Sequence, residues 1–209
     1  MKYPKTLHLP WSPGVTNTDK VITSVDHLLG TNIVILEKLD GECTSMYTDH
    51  IHARSADSGH HPSRNWVKRF WGEIGHLIPE DVQICGENVY AKHSIYYDRL
   101  ETYFYGFMAI KDEIVMGWSD TLTLFKEIGI KPVPTICFGP LHNEYIKARL
   151  INPTFKSEVG NEIEGYVIRP SSEFSIKTFD QNVLKYVRKN HVQTDIHWTK
   201  EWVKNGIRI

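Results

Sequence analysis

The chain has 209 residues, 41% hydrophobic and 23% charged, with 24 lysines and arginines against 25 acids for a formal charge of −1. That balance excludes collagenous, disordered and strongly basic binding classes, and it is enough chain to bury a core. Three widely spaced cysteines (Cys43, Cys85, Cys137) make neither a disulfide framework nor a metal knuckle, no apolar run approaches the roughly 18 residues of a membrane helix, and the first residues lack an apolar signal core. A soluble protein of a reducing, cytoplasmic compartment is expected.

In chain order, the opening stretch with Pro4, Pro10, Pro13 and Gly14 reads as an irregular arm. Residues 32–36, a β-branched run, predict a strand that enters the charged turn Glu37-Lys38-Leu39-Asp40-Gly41. Residues 43–48 and 51–54 predict two short strands around Asp49-His50. Pro62-Ser63 opens the clearest helix, with Trp66, Val67, Phe70, Trp71, Ile74 and Leu77 on one face and Pro79 as its stop. Residues 82–84 and 103–110 predict strands, and Ser119 is placed to cap a helix carrying Leu122, Phe125 and Ile128, closed by Gly129. Residues 132–136, with two prolines, predict an edge strand; 141–150 a short helix; 164–170 and 183–187 further strands. Near the end, Trp198 and Trp202 stand four apart, as on an amphipathic helix docked on the core. Strands outnumber helices and do not alternate with them. The fold class is therefore α+β with mostly antiparallel sheets, and one domain over residues 1–209 is expected.

Chemistry concentrates in five places. Lys38 lies among acids at a strand end; an amine there is a nucleophile once deprotonated, yet carboxylates alone raise its pKa, so cations must offset them. Glu87 follows a strand and a glycine, Cys85-Gly86-Glu87, where the glycine leaves room for a close approach. Tyr103-Phe104-Tyr105-Gly106-Phe107 is an aromatic strand in which one ring is a candidate platform for a base. Glu164 heads the apolar strand Gly165-Tyr166-Val167-Ile168-Arg169, and Lys185 begins a late cationic stretch with Arg188 and Lys189.

Taken in order, K-x-D-G, G-E after a strand, an aromatic strand, E-G-[aromatic]-[apolar]-[apolar]-R and a lysine strand resemble the covalent nucleotidyltransferases, the polynucleotide ligases and mRNA capping enzymes. More narrowly the chain resembles small bacterial and phage ATP-dependent RNA ligases of the RNA ligase 2 type. The likeness includes Leu9-Pro10-Trp11-Ser12-Pro13-Gly14, His52-Ala53-Arg54-Ser55, Asp57-Ser58, His61-Pro62-Ser63-Arg64, Tyr186-Val187-Arg188 and residues 191–198, and so covers nearly the whole chain.

The resemblance implies an adenylyltransferase domain using ATP and Mg2+ or Mn2+. In it Lys38 forms a covalent lysyl-AMP, AMP passes to an RNA 5′-phosphate, and a 3′-hydroxyl then seals the strand. It places Asp40, Glu164 and Lys185 with Lys38 in catalysis. Glu37, Arg54, Glu87, Phe104 and Lys185 would hold the nucleotide: Glu87 at the ribose, Phe104 stacked on adenine, Lys185 on the α-phosphate, Arg54 on the nucleotide or RNA end. Glu164 would bind the metal. Two features depart from relatives: Cys43 stands where many carry asparagine, and a K-x-K pair is here Lys185-Tyr186-Val187.

For RNA, Arg64 and Lys68 on the first helix (with Arg69) and Arg188 and Lys189 near the end are candidates; residues 184–209 hold six cations against Asp195 and Glu201. The stretch beyond Lys185 is too short for an appended OB-fold, so weak intrinsic RNA affinity and an RNA-repair partner protein are expected. Eleven histidines, with His50 and His52 on one strand face, show no zinc spacing and receive no metal. A DNA ligase core, a GTP-dependent capping guanylyltransferase and a degenerate nucleotide- or RNA-binding module are the competing readings.

Overall fold

A computed structural model describes residues 1–54, 61–190 and 202–208. In chain order the strands are β1 (Leu7–His8), β2 (Asn32–Lys38), β3 (Glu42–Met46), β4 (Ile51–Ala53), β5 (Val82–Asn88), β6 (Phe104–Lys111), β7 (Ile114–Val115), β8 (Lys131–Pro132), β9 (Thr135–Pro140), β10 (Gly165–Pro170), β11 (Phe174–Ser175) and β12 (Leu184–Val187). The helices are α1 (Asn65–Ile74), α2 (Trp118–Ile128), α3 (Asn143–Tyr145) and α4 (Phe179–Asn182).

Two sheets form. One runs β1-β12-β10-β2-β9 and the other β11-β7-β6-β5-β3-β4, with β8 beside β6. Every pairing is antiparallel except β1 with β12 and β8 with β6. The α+β class with mostly antiparallel sheets is what the structure shows, and β9, which begins at Thr135 just after Pro132 and Pro134, is an edge strand as expected of that stretch.

The strand β2 is buried on both sides, which explains its unbroken apolar run. Ile33 and Ile35 join Leu9, Tyr166, Leu184 and Leu150 under the first sheet. Val34 and Leu36 face Tyr103, Tyr105 and Trp118 between the sheets. On the far side of the second sheet, Met46, Ile84 and Phe104 pack against Val67 of α1 and Phe125 and Ile128 of α2.

The local differences from expectation have plain causes. The helix α1 passes into a 3-10 turn at Gly75–Leu77, which rotates Leu77 off the apolar face and leaves it exposed. The helix α2 starts at Trp118, with Gly117 rather than Ser119 before it, because the Trp118 N–H donates to the Ser171 carbonyl. Gly129 closes it in the left-handed region, φ 78°. Trp198 lies outside the described residues. Trp202 is not helical: residues 202–208 run extended along the 90–100 segment, bridging Ala91 at Lys204 and Leu100 at Ile207. The buried Asn205 side chain fixes that path, accepting from the Tyr97 N–H and donating to the Val89 carbonyl at 2.9 Å each. The Trp202 ring docks 5.6 Å from Tyr90.

Candidate active site

Between the sheets lies a cleft of about 740 Å3, within the range of small-ligand sites. Strand register assembles its floor. Pairing of β2 with β10 sets Lys38 opposite Gly165, so Glu164 arrives beside the lysine. The Lys38 Nζ donates to Glu164 Oε2 at 2.6 Å, with Glu164 almost wholly buried and Lys38 a quarter exposed. The residue opposite Lys38 must be glycine: a Cβ at 165 would sit 1.9 Å from the Tyr186 carbonyl oxygen. Pairing of β10 with β12 sets Lys185 opposite Val167 and puts its ammonium on the cleft wall.

From the second sheet, Glu87 faces Lys38, and its Oε1 accepts from the Gly41 N–H at 3.2 Å. Burial pushes the Glu87 carboxyl up to about 8, Glu164 and Asp40 adding to the rise and Lys38 opposing it. For Lys38, burial acts to lower the pKa but is overcome by Glu164, Glu87 and Asp40, so the ammonium is held above its ordinary value. The carboxylate effect expected from the sequence is therefore present. Lys185 is lowered, by burial first and by Lys38 second.

Asp40 approaches from behind rather than lining the cleft. Its Oδ2 accepts from the Ser94 and Ile95 N–H groups at 2.6 and 2.8 Å, and its own N–H donates to the Tyr97 hydroxyl at 2.7 Å. It clamps the turn that carries Lys38. Glu37 is buried; its Oε2 accepts from the Glu158 N–H at 3.3 Å, while Oε1 has no hydrogen-bond partner. Burial raises its carboxyl to about 7.

Arg54 is exposed on the cleft wall, and Arg64 lines it while bound through two nitrogens to Glu42. Lys68 is exposed on α1 and Lys189 is exposed past β12; neither lines the cleft. Arg188 pairs with Glu162, and its N–H holds the Glu164 carbonyl at 2.9 Å.

Phe104 is not brought to the cleft. Its ring is fully buried in the far-side core, directly over Gly86, where a Cβ would meet it at 2.2 Å. The close approach that Gly86 permits is thus made by this ring. The aromatic ring of β6 that lines the cleft is Phe107, half-buried and edge-on to Tyr3 at 5.3 Å. Strand alternation sets residues 104 and 107 on opposite faces, and a β-bulge, with Gly86 paired to Gly106 but Cys85 to Met108, leaves Phe107 as the extra residue and brings Met108 to the cleft beside it.

The wall residues of the opening arm carried no sequence signal. The opening arm contributes Tyr3, Lys5 and Asp19. Asp19 Oδ1 stands 3.7 Å from Lys185 Nζ and 3.5 Å from His8 Nε2, and Thr16 donates to its other oxygen from backbone and hydroxyl. Burial raises the Asp19 carboxyl, but the Thr16 hydrogen bonds, Lys185 and His8 outweigh it and hold it at about 2. Arg169 lies wholly buried at the back, donating to the Pro170 and Met116 carbonyls, with Nη1 unpartnered.

Among the described residues no three His, Cys, Asp or Glu side chains are grouped to hold a metal alone. The donors present suit a hard cation shared with phosphate oxygens and water, a mode in which Mg2+ uses one or two carboxylates, here Glu164 above all.

This arrangement of two antiparallel sheets around a lysine-bearing cleft is the fold of the nucleotidyltransferase-type ligases. A Naegleria gruberi RNA ligase variant with ATP and Mn is similar at TM-score 0.58 and 16% identity, over 86% of this chain and 57% of that one. Another variant of that enzyme, with AMP and Mn, gives 0.57 and 15% over 86% and 57%. An archaeal ATP-dependent RNA ligase gives 0.52 and 14% over 89% and 48%. This chain spans about half the length of those structures. No curated protein sequence matches it significantly. Residues 31–187, from β2 through β12, match the RNA ligase family, and the chain belongs to that family.

Proposed function

We propose that this protein is an ATP-dependent RNA ligase that works through a covalent lysyl-AMP on Lys38. The observation that carries the reading is the placement of Lys38 on the cleft floor, 2.6 Å from Glu164, with Glu87 and Lys185 on the same cleft. Adenine would lie against Phe107, with the free oxygen of Glu37 and the free arm of Arg169 available to its polar edge. Glu87 suits the ribose hydroxyls, and Lys185 the α-phosphate.

In the first step the Lys38 amine attacks the α-phosphorus. An N–P bond forms, the bond to pyrophosphate breaks, and the amine gives up its proton. A divalent cation at Glu164 would neutralise phosphate charge and take up the carboxylate charge that otherwise keeps Lys38 protonated. An RNA 5′-phosphate oxygen then displaces Lys38 from AMP, and an RNA 3′-hydroxyl displaces AMP to form the phosphodiester. Arg54, exposed at the rim, suits the RNA phosphate through its guanidinium fork.

The test is incubation with α-labelled ATP and magnesium, then a denaturing gel. Label on the wild type and none on Lys38→Ala is expected. Absence of label on folded, ATP-free protein overturns the reading in favour of a binding module, and label from GTP alone points to capping chemistry.

A further inference from the structure

Outside the cleft, three flat rings gather on the β3–β4 hairpin, Tyr47, His50 and His52. Tyr47 and His50 stack at 4.2 Å with planes 11° apart. His52 lies 5.9 Å from His50 and 5.8 Å from Tyr47, its plane within 29° of both. Register explains the grouping. Across the hairpin Ser45 faces His52, and the Tyr47 N–H donates to the His50 carbonyl, so these side chains share one face. Met46 and Ile51 point the other way, into the core.

The rings are fixed. Trp71 Nε1 donates to the Tyr47 carbonyl at 2.7 Å, His52 Nδ1 to the Ala53 carbonyl at 2.7 Å, and His50 Nδ1 meets Asp49 at 2.5 Å. That last contact occupies the acid at the hairpin tip. The His50 side chain is 52% exposed. The same strand face continues to Arg54, whose N–H pairs with the Cys43 carbonyl and whose side chain lines the cleft. A tier of parallel rings therefore runs from the cleft rim along the last strand of the sheet.

We propose that Tyr47, His50 and His52 form a stacking platform for unpaired bases of the RNA strand that leaves the cleft at Arg54. The inference rests on the RNA ligase reading and narrows its substrate. Rings of this kind stack on splayed bases, whereas a continuous duplex keeps its bases stacked on one another and presents backbone. The favoured RNA then carries unpaired nucleotides beside the join, as in a broken loop, in preference to a flush nick in a duplex.

The test compares the full chain with His50→Ala/His52→Ala and His50→Phe/His52→Phe. Each is measured for label from α-labelled ATP and for affinity towards two RNAs, one with unpaired nucleotides flanking the ends and one a flush nicked duplex. Both variants should label Lys38 as the wild type does. The alanine variant should bind the unpaired RNA about fivefold or more weakly, the low end of one lost stacking contact, with the nicked duplex moved less than twofold. The phenylalanine variant should bind near the wild-type level, since it keeps flat rings without imidazole charge. As a check independent of mutant folding, a 4-thiouridine placed in the unpaired segment should crosslink the wild type within residues 47–54. Unchanged affinity in the alanine variant, equal losses in both variants, or a crosslink elsewhere overturns the platform. If the wild type takes no label yet binding still depends on the rings, the ligase reading fails and the platform stands.

Discussion

Glu37 provides the sharpest quantitative test of the cleft. Its carboxyl is 2% exposed, one oxygen has no partner, and burial raises its pKa from 4.5 to about 7. Below pH 4.5 the group is neutral whether the chain is folded or not, so it costs nothing. Between pH 4.5 and 7 the unfolded chain releases the proton and the folded one keeps it, so stability falls as pH rises; above 7 the loss is complete. The difference between 4.5 and about 7 corresponds to about 3 kcal/mol. Glu37→Gln keeps the shape and the acceptor for Glu158 but cannot ionise. Urea unfolding of both proteins at pH 4.5, 6 and 8 is the assay. The stability of the variant relative to wild type should climb by about 3 kcal/mol across that range. Glu87, raised to about 8, tilts both proteins alike and cancels in the difference. A gap that is constant with pH, or that narrows as pH rises, would refute the assignment of a buried, neutral Glu37.

Four further substitutions test the same geometry. Phe104→Ala should destabilise the fold by about 3–5 kcal/mol, as for a large core ring. Phe107→Ala should leave denaturation nearly unchanged but raise the KM for ATP in self-adenylylation by about fivefold or more; the reverse pattern would show that the two faces of β6 are exchanged. Gly165→Ala should lower stability by on the order of 3 kcal/mol in a denaturation experiment, because its Cβ meets the Tyr186 carbonyl at 1.9 Å and cannot be absorbed by a side-chain rotation. Asp19→Asn removes the anion beside Lys185, whose pKa burial and Lys38 already lower. The alkaline limb of the adenylylation pH profile should therefore move to lower pH. The ATP KM should rise roughly fivefold, the effect of about 1 kcal/mol, and a profile that does not move would show that Asp19 does not support Lys185.

Local sequence carries the elements well where one interaction dominates. The β-branched run at 32–36, the spacing from Trp66 to Ile74 and the glycine after α2 became a doubly buried strand, an amphipathic helix and a left-handed cap. The candidate site was also legible as a set: Lys38, Glu87, Glu164, Lys185 and Arg54 all line the cleft or stand at its floor. They sit at the ends of paired strands, and antiparallel pairing brings such ends together once the order of strands is right.

What a one-dimensional reading cannot supply is any feature set by a partner strand. Alternation along 103–107 sets Phe104 and Phe107 on opposite faces, but it does not reveal which face meets the cleft, nor the bulge opposite Cys85 and Gly86 that brings Met108 there beside Phe107. Asp40 is an acid beside Lys38 in sequence, yet the N–H groups of Ser94 and Ile95 turn its carboxylate away from the cleft. Asp19 reaches Lys185 only because β1 pairs with β12 and carries the arm with it. The extended course of residues 202–208 was chosen by the carbonyl and N–H groups of the 89–100 segment that Asn205 satisfies. Residue types and their order thus determined which candidate side chains this chain carries. Strand register, the facing of each strand and the competition for backbone hydrogen bonds decided which of them meet in the cleft, because those are contacts between segments far apart in the chain.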